Sequence, residues 1–119
     1  MIDNYEEAMA LIKKMEAHLP IPAQPTKSFI HGMRENGIKV KSTQKIQIES
    51  VLYLGDDGGI GCAVGILQKG KVVITSLTHI RVKSSHPIGK EIRKYQNDRI
   101  EKLAFKTYGV SIRSLKTAV

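Results

Sequence analysis

Cys62, His79 and Asp57 are the residues whose types and placement could perform nucleophilic catalysis. Thiol catalysis needs a base within hydrogen-bond reach of the cysteine and a third group that orients the base. A hairpin that turns at Lys69-Gly70 places Cys62 and His79 as diagonal neighbours on one face of adjacent strands. The competing interpretation is an inert core cysteine, because no helix N-terminus is present to activate the thiol. We expect no catalytic residue, and keep a small thiol-dependent enzyme using Cys62, His79 and Asp57 as the alternative.

A second group of residues, on the last predicted helix, could bind a polyanion. Lys90, Arg93 and Lys94 point away from the apolar side of that helix when about 100° is counted per residue. The chain carries 19 Lys+Arg against 11 Asp+Glu, a net charge of +8. Acidic residues are interleaved on the same helix, as on an ordinary solvated helix. We therefore expect nucleic acid or an acidic protein as the partner, with a merely solvated surface as the alternative.

Arg99 interrupts the apolar stripe of the same helix. A buried guanidinium without a partner costs several kcal/mol, so such a residue normally has an acceptor. The pattern predicts a structural or pocket-lining ion pair with Asp56 or Asp57, at the first hairpin, or with Glu49; loop carbonyls could share the task. The alternative is a long side chain that reaches water along the edge of the stripe.

Metal and cofactor sites are not indicated. The four histidines are scattered singly, without the HxxxH or HxH spacing that places two ligands on one metal ion. The glycine-rich run Gly55–Gly61 lacks the lysine of a P-loop and precedes a predicted strand instead of a helix. Aromatic residues make up 5% of the chain, which argues against a sheet that stacks on RNA bases. We expect neither a metal nor a cofactor.

The elements that must position these residues follow from apolar periodicity. The predicted fold is α+β, with two N-terminal helices, a three-stranded antiparallel meander and a long C-terminal helix packed on the sheet. The expected organisation is a single domain over 1–119 with a helix over 1–19, a proline-rich connector over 20–25, an α-β-β-β-α body over 26–109 and a tail over 110–119. The third strand is predicted over 72–82, and a β-bulge is predicted near Glu49-Ser50.

The predicted helix boundaries rest on capping residues. Asp3 stands three residues before Glu6 and resembles a capping box for the first helix. Thr26 is the expected N-cap of the second helix, over Lys27 to Asn36. Ser84 or Ser85 is expected to cap the last helix, with a proline in its first turn.

Composition places the chain among ordinary globular proteins, with 41% hydrophobic and 25% charged residues in 119. One cysteine excludes a disulfide within the chain. The longest uncharged stretch, Gly58 to Gln68, is too short to cross a bilayer, so no membrane partner is expected. The acidic start lacks the basic region of a signal peptide, so we expect a cytoplasmic protein.

The function predicted from these patterns is that of a small basic binding protein for nucleic acid or another polyanion. The thiol enzyme is one alternative, and a protein-interaction adaptor or homo-oligomeric structural protein is another. A small sheet with open edges leaves a homodimer open, by edge pairing or helix exchange.

Overall fold

A computed structural model describes residues 3–108, with side chains over 3–105. Its elements, in chain order, are α1 (Tyr5–Glu16), β1 (Ile21–Pro25), α2 (Lys27–Glu35), β2 (Ile46–Tyr53), β3 (Ile60–Ile66), β4 (Lys71–Ser76), the 3-10 helix η1 (Leu77–His79), β5 (Ile80–Arg81) and α3 (Gly89–Tyr108). The predicted α+β class is confirmed. The predicted three strands and the count of helical segments are inexact, because the described chain has five strands and an added 3-10 helix. The predicted tail over 110–119 lies outside the described residues.

The five strands form one antiparallel sheet in the order β4-β3-β2-β1-β5. The predicted meander corresponds to β2, β3 and β4, and the register shifts between Ile48 and Ser50, where a bulge was expected. The meander is therefore only part of the sheet, and the two remaining strands come from segments predicted otherwise.

Strand β1 lies in the segment predicted as a stiff proline-rich connector. Ile21 and Ala23 are buried while Pro22 and Gln24 are exposed, so the segment has the alternating burial of a strand. Ile21, Pro22 and Ala23 pair with β2, whereas Gln24 and Pro25 pair with β5. Each residue of β1 thus has a paired strand on one side only, which is the condition under which a strand tolerates proline. Burial of the two apolar side chains explains why the connector prediction is wrong.

The predicted third strand, 72–82, is also wrong beyond Ser76. The Ser76 hydroxyl donates to the Gly58 carbonyl at 2.9 Å, and its oxygen accepts from the Thr78 amide at 3.3 Å. This local hydrogen bonding competes with the sheet ladder and begins a 3-10 turn. The chain then reaches the opposite edge of the sheet, where β5 pairs with β1.

One face of the sheet forms the core. Cys62 pairs with Val51 on β2 and with Thr75 on β4, so these three side chains share that face. The buried side chains of the sheet join those of α1, Phe29 of α2 and Ile92 of α3 in one apolar cluster. The same pairing places Val64 of β3 and Val73 of β4 on this face.

The opposite side is called the outer face here. It is marked by four residues paired across β1, β2, β3 and β4, namely Pro22, Gln47, Gly65 and Val72. Polar and charged side chains of this face include Arg81 of β5, Gln24 of β1 and Gln47 of β2, whereas its β4 side carries the aliphatic Val72 and Ile74. These two regions supply the surface features considered below.

The N-cap of α1 differs from the prediction, whereas the N-cap of α2 agrees with it. Asn4, not Asp3, caps α1, because its side-chain oxygen accepts from the Glu7 amide at 3.0 Å. Thr26 caps α2 as expected, accepting from the Phe29 amide at 3.1 Å. The capping-box prediction is therefore wrong, and it leaves Asp3 free for a different role.

Helix α3 begins at Gly89, several residues after the predicted serine caps. The buried Gln96 amide nitrogen donates to the carbonyls of Leu77 and Ile80, at 2.8 and 2.7 Å. This polar residue of the apolar stripe therefore ties α3 to the interruption between β4 and β5. Its two hydrogen bonds compensate for burial of the amide.

Candidate functional site

A buried polar cluster joins the start of the chain to α3 and to the first hairpin. Arg99 Nη1 lies 3.0 Å from Asp3 Oδ1, and both side chains are only 2% exposed. Arg99 Nη2 donates to the Asp56 carbonyl at 2.6 Å. The guanidinium, which has five N–H donors, therefore donates to one charged acceptor and to one neutral acceptor.

Tyr95 extends the cluster to β3. Its hydroxyl donates to Asp3 Oδ2 at 2.8 Å and accepts from the Ile60 amide at 2.9 Å. Tyr53 contributes a longer hydrogen bond to the same carboxylate oxygen, at 3.4 Å. Burial raises the pKa of the Tyr95 hydroxyl well above its usual value, with the Asp3 carboxylate adding to the effect. Tyr95 therefore stays protonated and acts as a donor at neutral pH.

Gly59 packs directly against this cluster. Its backbone has a φ of +63°, and the Arg99 guanidinium carbon would lie 2.8 Å from a side-chain Cβ at this position. The Tyr95 hydroxyl would lie still closer. A side chain at this position is thus opposed both by the backbone conformation and by contact with Tyr95 and Arg99. The hairpin glycine, besides turning the chain, opens the space that Arg99 and Tyr95 occupy.

The carboxylate partner of Arg99 differs from the expected one. Asp56 contributes its backbone carbonyl, and Asp3 supplies the carboxylate. Asp57 is exposed on the hairpin, and Glu49 lies against Gly65 on the outer face. The sequence offered one signal for Asp3, an acidic residue directly before α1, but that position is equally typical of a helix cap.

The predicted pairing of Cys62 with His79 is not made. His79 belongs to η1 and not to β4, so it is not a strand neighbour of Cys62. Its Nδ1 atom lies 3.2 Å from the Thr75 hydroxyl, and within residues 3–105 no hydrogen bond joins it to the thiol. Cys62 is fully buried, and burial raises the pKa of its thiol to about 12. These surroundings are those of a small core residue.

We expect Cys62 to react very slowly with iodoacetamide in the folded protein. At pH 8 a thiol with a pKa near 12 is ionised in about one molecule in 10⁴, and burial blocks access to it. Mass spectrometry should find full labelling in urea and almost none under native conditions. Rapid native labelling at neutral pH would contradict this expectation and would revive the thiol-enzyme alternative.

The predicted polyanion-binding residues of α3 lie among acidic residues. Lys94 Nζ is 2.8 Å from Asp98 Oδ2, and Glu91, next to Lys90, pairs with Lys14 of α1 at 3.0 Å. The groove between α1 and α3 measures about 250 Å³ and is lined by side chains of both signs. Opposite charges at such spacing cancel much of the field that a polyanion would meet. This face of α3 is therefore a weaker anion surface than the sequence suggested.

A larger cleft of about 610 Å³ opens over the β1-β2 side of the sheet. Among the described residues, no aspartate or glutamate lines it, whereas its lining includes Lys45, Lys83 and His86. Neither lysine forms an ion pair with any described residue. We call this feature the basic cleft.

The walls of the basic cleft come from three separate parts of the chain. They are strands β1 and β2, the segment over 42–45, and the segment over 83–86 that precedes α3. The other polar lining is neutral and consists of hydroxyl and amide side chains, namely Gln24, Ser42, Thr43, Gln44, Gln47 and Ser85. The Gln44 amide is anchored, because it donates to the Leu67 carbonyl at 2.6 Å.

The surroundings of the basic cleft carry charges of both signs. Arg81, exposed on β5, pairs with Gln24 and adds a positive charge at the edge of the sheet. Glu49 is not part of the lining, although its carboxylate accepts from Gln47 at 3.4 Å. The cleft is thus a positive region with the Glu49 carboxylate beside it.

Sequence reasoning missed the basic cleft because β1 was not predicted as a strand. The alternation of Lys45 and Gln47 with buried Ile46 and Ile48 already places both polar residues on one face. Without β1 beside β2, nothing brought Lys83 near Lys45. The sequence pattern therefore indicated the polar residues contributed by β2, but not their proximity to β1 and to the segment over 83–86.

The fold and the cleft define an α+β protein in which a five-stranded antiparallel sheet carries a basic cleft on its outer face. No protein-family model, no curated protein and no solved structure matches the chain. Within residues 3–108, none of the helices is both long and apolar enough to cross a membrane. The described side chains include no group of three or more histidine, cysteine, aspartate or glutamate residues suited to hold a metal ion.

Proposed function

We propose that this protein binds nucleic acid, and that the basic cleft is where the phosphate backbone lies. The observation that carries the proposal is the charge of the lining: Lys45 and Lys83 line one cleft, beside His86, and no described acidic side chain lines it. Neither lysine has an ion-pair partner among the described residues, so both positive charges can attract an external anion. A phosphate backbone supplies negative charge along its length.

The neutral lining supports the same ligand. Hydroxyl and amide side chains are common partners of phosphate and sugar oxygens, alongside lysine and arginine. Among the described residues, the lining contains no phenylalanine, tyrosine or tryptophan, so base stacking on these side chains is not part of the proposed mode. The mode of binding proposed is therefore backbone contact with little sequence preference, steered by the net charge of +8.

The test is fluorescence anisotropy with a labelled DNA duplex and a labelled single strand at several salt concentrations. We expect weak binding that falls steeply with salt, because association releases counterions. Replacing both cleft lysines, Lys45→Ala with Lys83→Ala, should weaken binding roughly 10-fold or more and lower the log–log salt slope by about 1.8 for the duplex.

A second double variant of equal charge change separates the cleft from α3. Lys90→Ala with Arg93→Ala removes two positive charges from the helix face and should weaken binding much less. If the α3 variant weakens binding and the cleft variant does not, the cleft assignment is wrong. Binding that is absent even at low salt, or that an acidic peptide matches at equal charge, would contradict the nucleic-acid proposal.

A further inference from the structure

Strand β4 is an open edge of the sheet. It pairs with β3 on one side and, within residues 3–108, with no strand on the other. An unpaired edge presents a row of backbone donors and acceptors that can accept a further strand. The pairing of β4 with β3 runs from Lys71 to Ser76 without a register shift, so the edge is regular over its whole length.

The two edges of the sheet differ in how they discourage added strands. At the opposite edge, β5 is only two residues long and one of them is Arg81. Short length and a charged side chain are both recognised protections of a sheet edge. Strand β4 has neither a proline, nor a bulge, nor a charged residue after Lys71. It is therefore the less protected of these two edges.

The outward side chains of β4 are apolar and exposed. Ile74 is 65% exposed, the highest fraction among the large hydrophobic side chains of the described chain, and Val72 is 58% exposed. Both belong to the outer face, where they stand beside the small residues Gly65 and Ala63 of β3. Apolar side chains at such exposure, next to an open edge, favour a contact that removes them from water.

We propose that β4 is the contact by which two copies of this chain form a dimer, through antiparallel pairing of their β4 strands about a two-fold axis. The occupant is a second copy because the strand is complementary to itself. In the register centred on Val73, Val72 lies opposite the partner's Ile74, so each exposed aliphatic side chain meets another.

Charge favours the same register. Lys71 lies opposite the partner's Thr75, which leaves the two lysines at opposite ends of the paired strands. Val72 to Ser76 is uncharged, so no like charges lie opposite each other across the paired strands in this register. The segment is short, and its contact area falls below the roughly 1,200 Å² of standard interfaces, so a weak dimer is expected.

Sedimentation velocity over a range of concentrations under reducing conditions tests the proposal. The wild-type chain should move from monomer towards dimer as its concentration rises into the range of roughly 100 µM that suits a small interface. Ile74→Lys should shift that midpoint at least 10-fold upward, because a charge on the edge opposes pairing. Ile74 is exposed, so circular dichroism should show that the Ile74→Lys variant keeps the wild-type fold.

Leu52→Lys is the matched control. Leu52 is 38% exposed on the outer face and pairs with Gly61 of β3, so β3 separates it from the β4 edge. The same charge change there should leave the midpoint within about 2-fold. A wild-type chain that stays monomeric throughout, or a dimer that Ile74→Lys does not weaken, would overturn the proposal. Equal weakening by both variants would mean face-to-face packing and would also overturn it.

Discussion

Asp3→Ala will lower the free energy of unfolding by about 3–5 kcal/mol, the typical cost of removing one partner from a buried ion pair. The Asp3 and Arg99 side chains are each only 2% exposed. Without the carboxylate, the guanidinium would retain the Asp56 carbonyl as an acceptor but lose its counter-charge. Urea denaturation followed by circular dichroism measures the change, with unchanged slopes showing that the two states remain comparable.

A double variant separates loss of the ion pair from loss of packing. Asp3→Ala with Arg99→Leu removes both charges and leaves an apolar side chain in the stripe of α3. It should be more stable than Asp3→Ala alone, because no charge is left buried without a partner. A double variant less stable than Asp3→Ala would contradict this account, and would mean that Arg99 contributes mainly through the Asp56 carbonyl and its packing.

The existence of a partner for Arg99 followed from the sequence, but the identity of the partner did not. A permanent charge within an apolar stripe is a local pattern, and the cost of burying it is general. Asp3 is 96 residues away along the chain, and bringing it to α3 requires the packing of α1 beside α3. Periodicity within single elements carries no information on such a contact, whereas the nearby hairpin acids offered a simpler choice.

In the sheet, too, local sequence patterns predicted the neighbouring strands, whereas the long-range strand pairing was not predicted. The β2-β3-β4 meander has short connections and clear period-two patterns, and the bulge near Ser50 was evident from an interruption of the alternation. Strand β1 has only five residues and contains two prolines, so local preference favoured a connector. Its place beside β2 and β5 depends on long-range pairing, and the basic cleft depends on that placement.

The buried cluster and the basic cleft have different roles in this account. Asp3, Arg99 and Tyr95 are saturated by contacts with one another and with backbone groups, and within the described part of the chain no buried side-chain nitrogen or oxygen lacks a hydrogen-bond partner. Such a cluster fixes the hairpin and α3 relative to α1. The lysines of the cleft form no ion pair with any residue that the structure describes, and they remain available for an external anion. Stability and binding are therefore expected to respond to separate sets of substitutions.

Gly59→Ala will destabilise the protein by about 3–4 kcal/mol, for two reasons that add. Its φ of +63° costs an L-residue about 1–2 kcal/mol. The added methyl group would also collide with the Tyr95 hydroxyl and lie 2.8 Å from the guanidinium carbon of Arg99. Relief of that collision requires Tyr95 or Arg99 to move, which weakens their hydrogen bonds to Asp3.

Gly70→Ala isolates the conformational part of this cost, since Gly70 has the same φ of +63° in the β3-β4 turn. Nothing lies within 4 Å of a Cβ placed there, so only the backbone preference opposes the substitution. Thermal and urea unfolding of both variants should therefore show a loss of about 1–2 kcal/mol for Gly70→Ala and roughly twice that for Gly59→Ala. Equal losses would mean that Tyr95 and Arg99 can move aside without a loss of stability. The close packing of Arg99 over Gly59 would then not contribute to the stability of the hairpin.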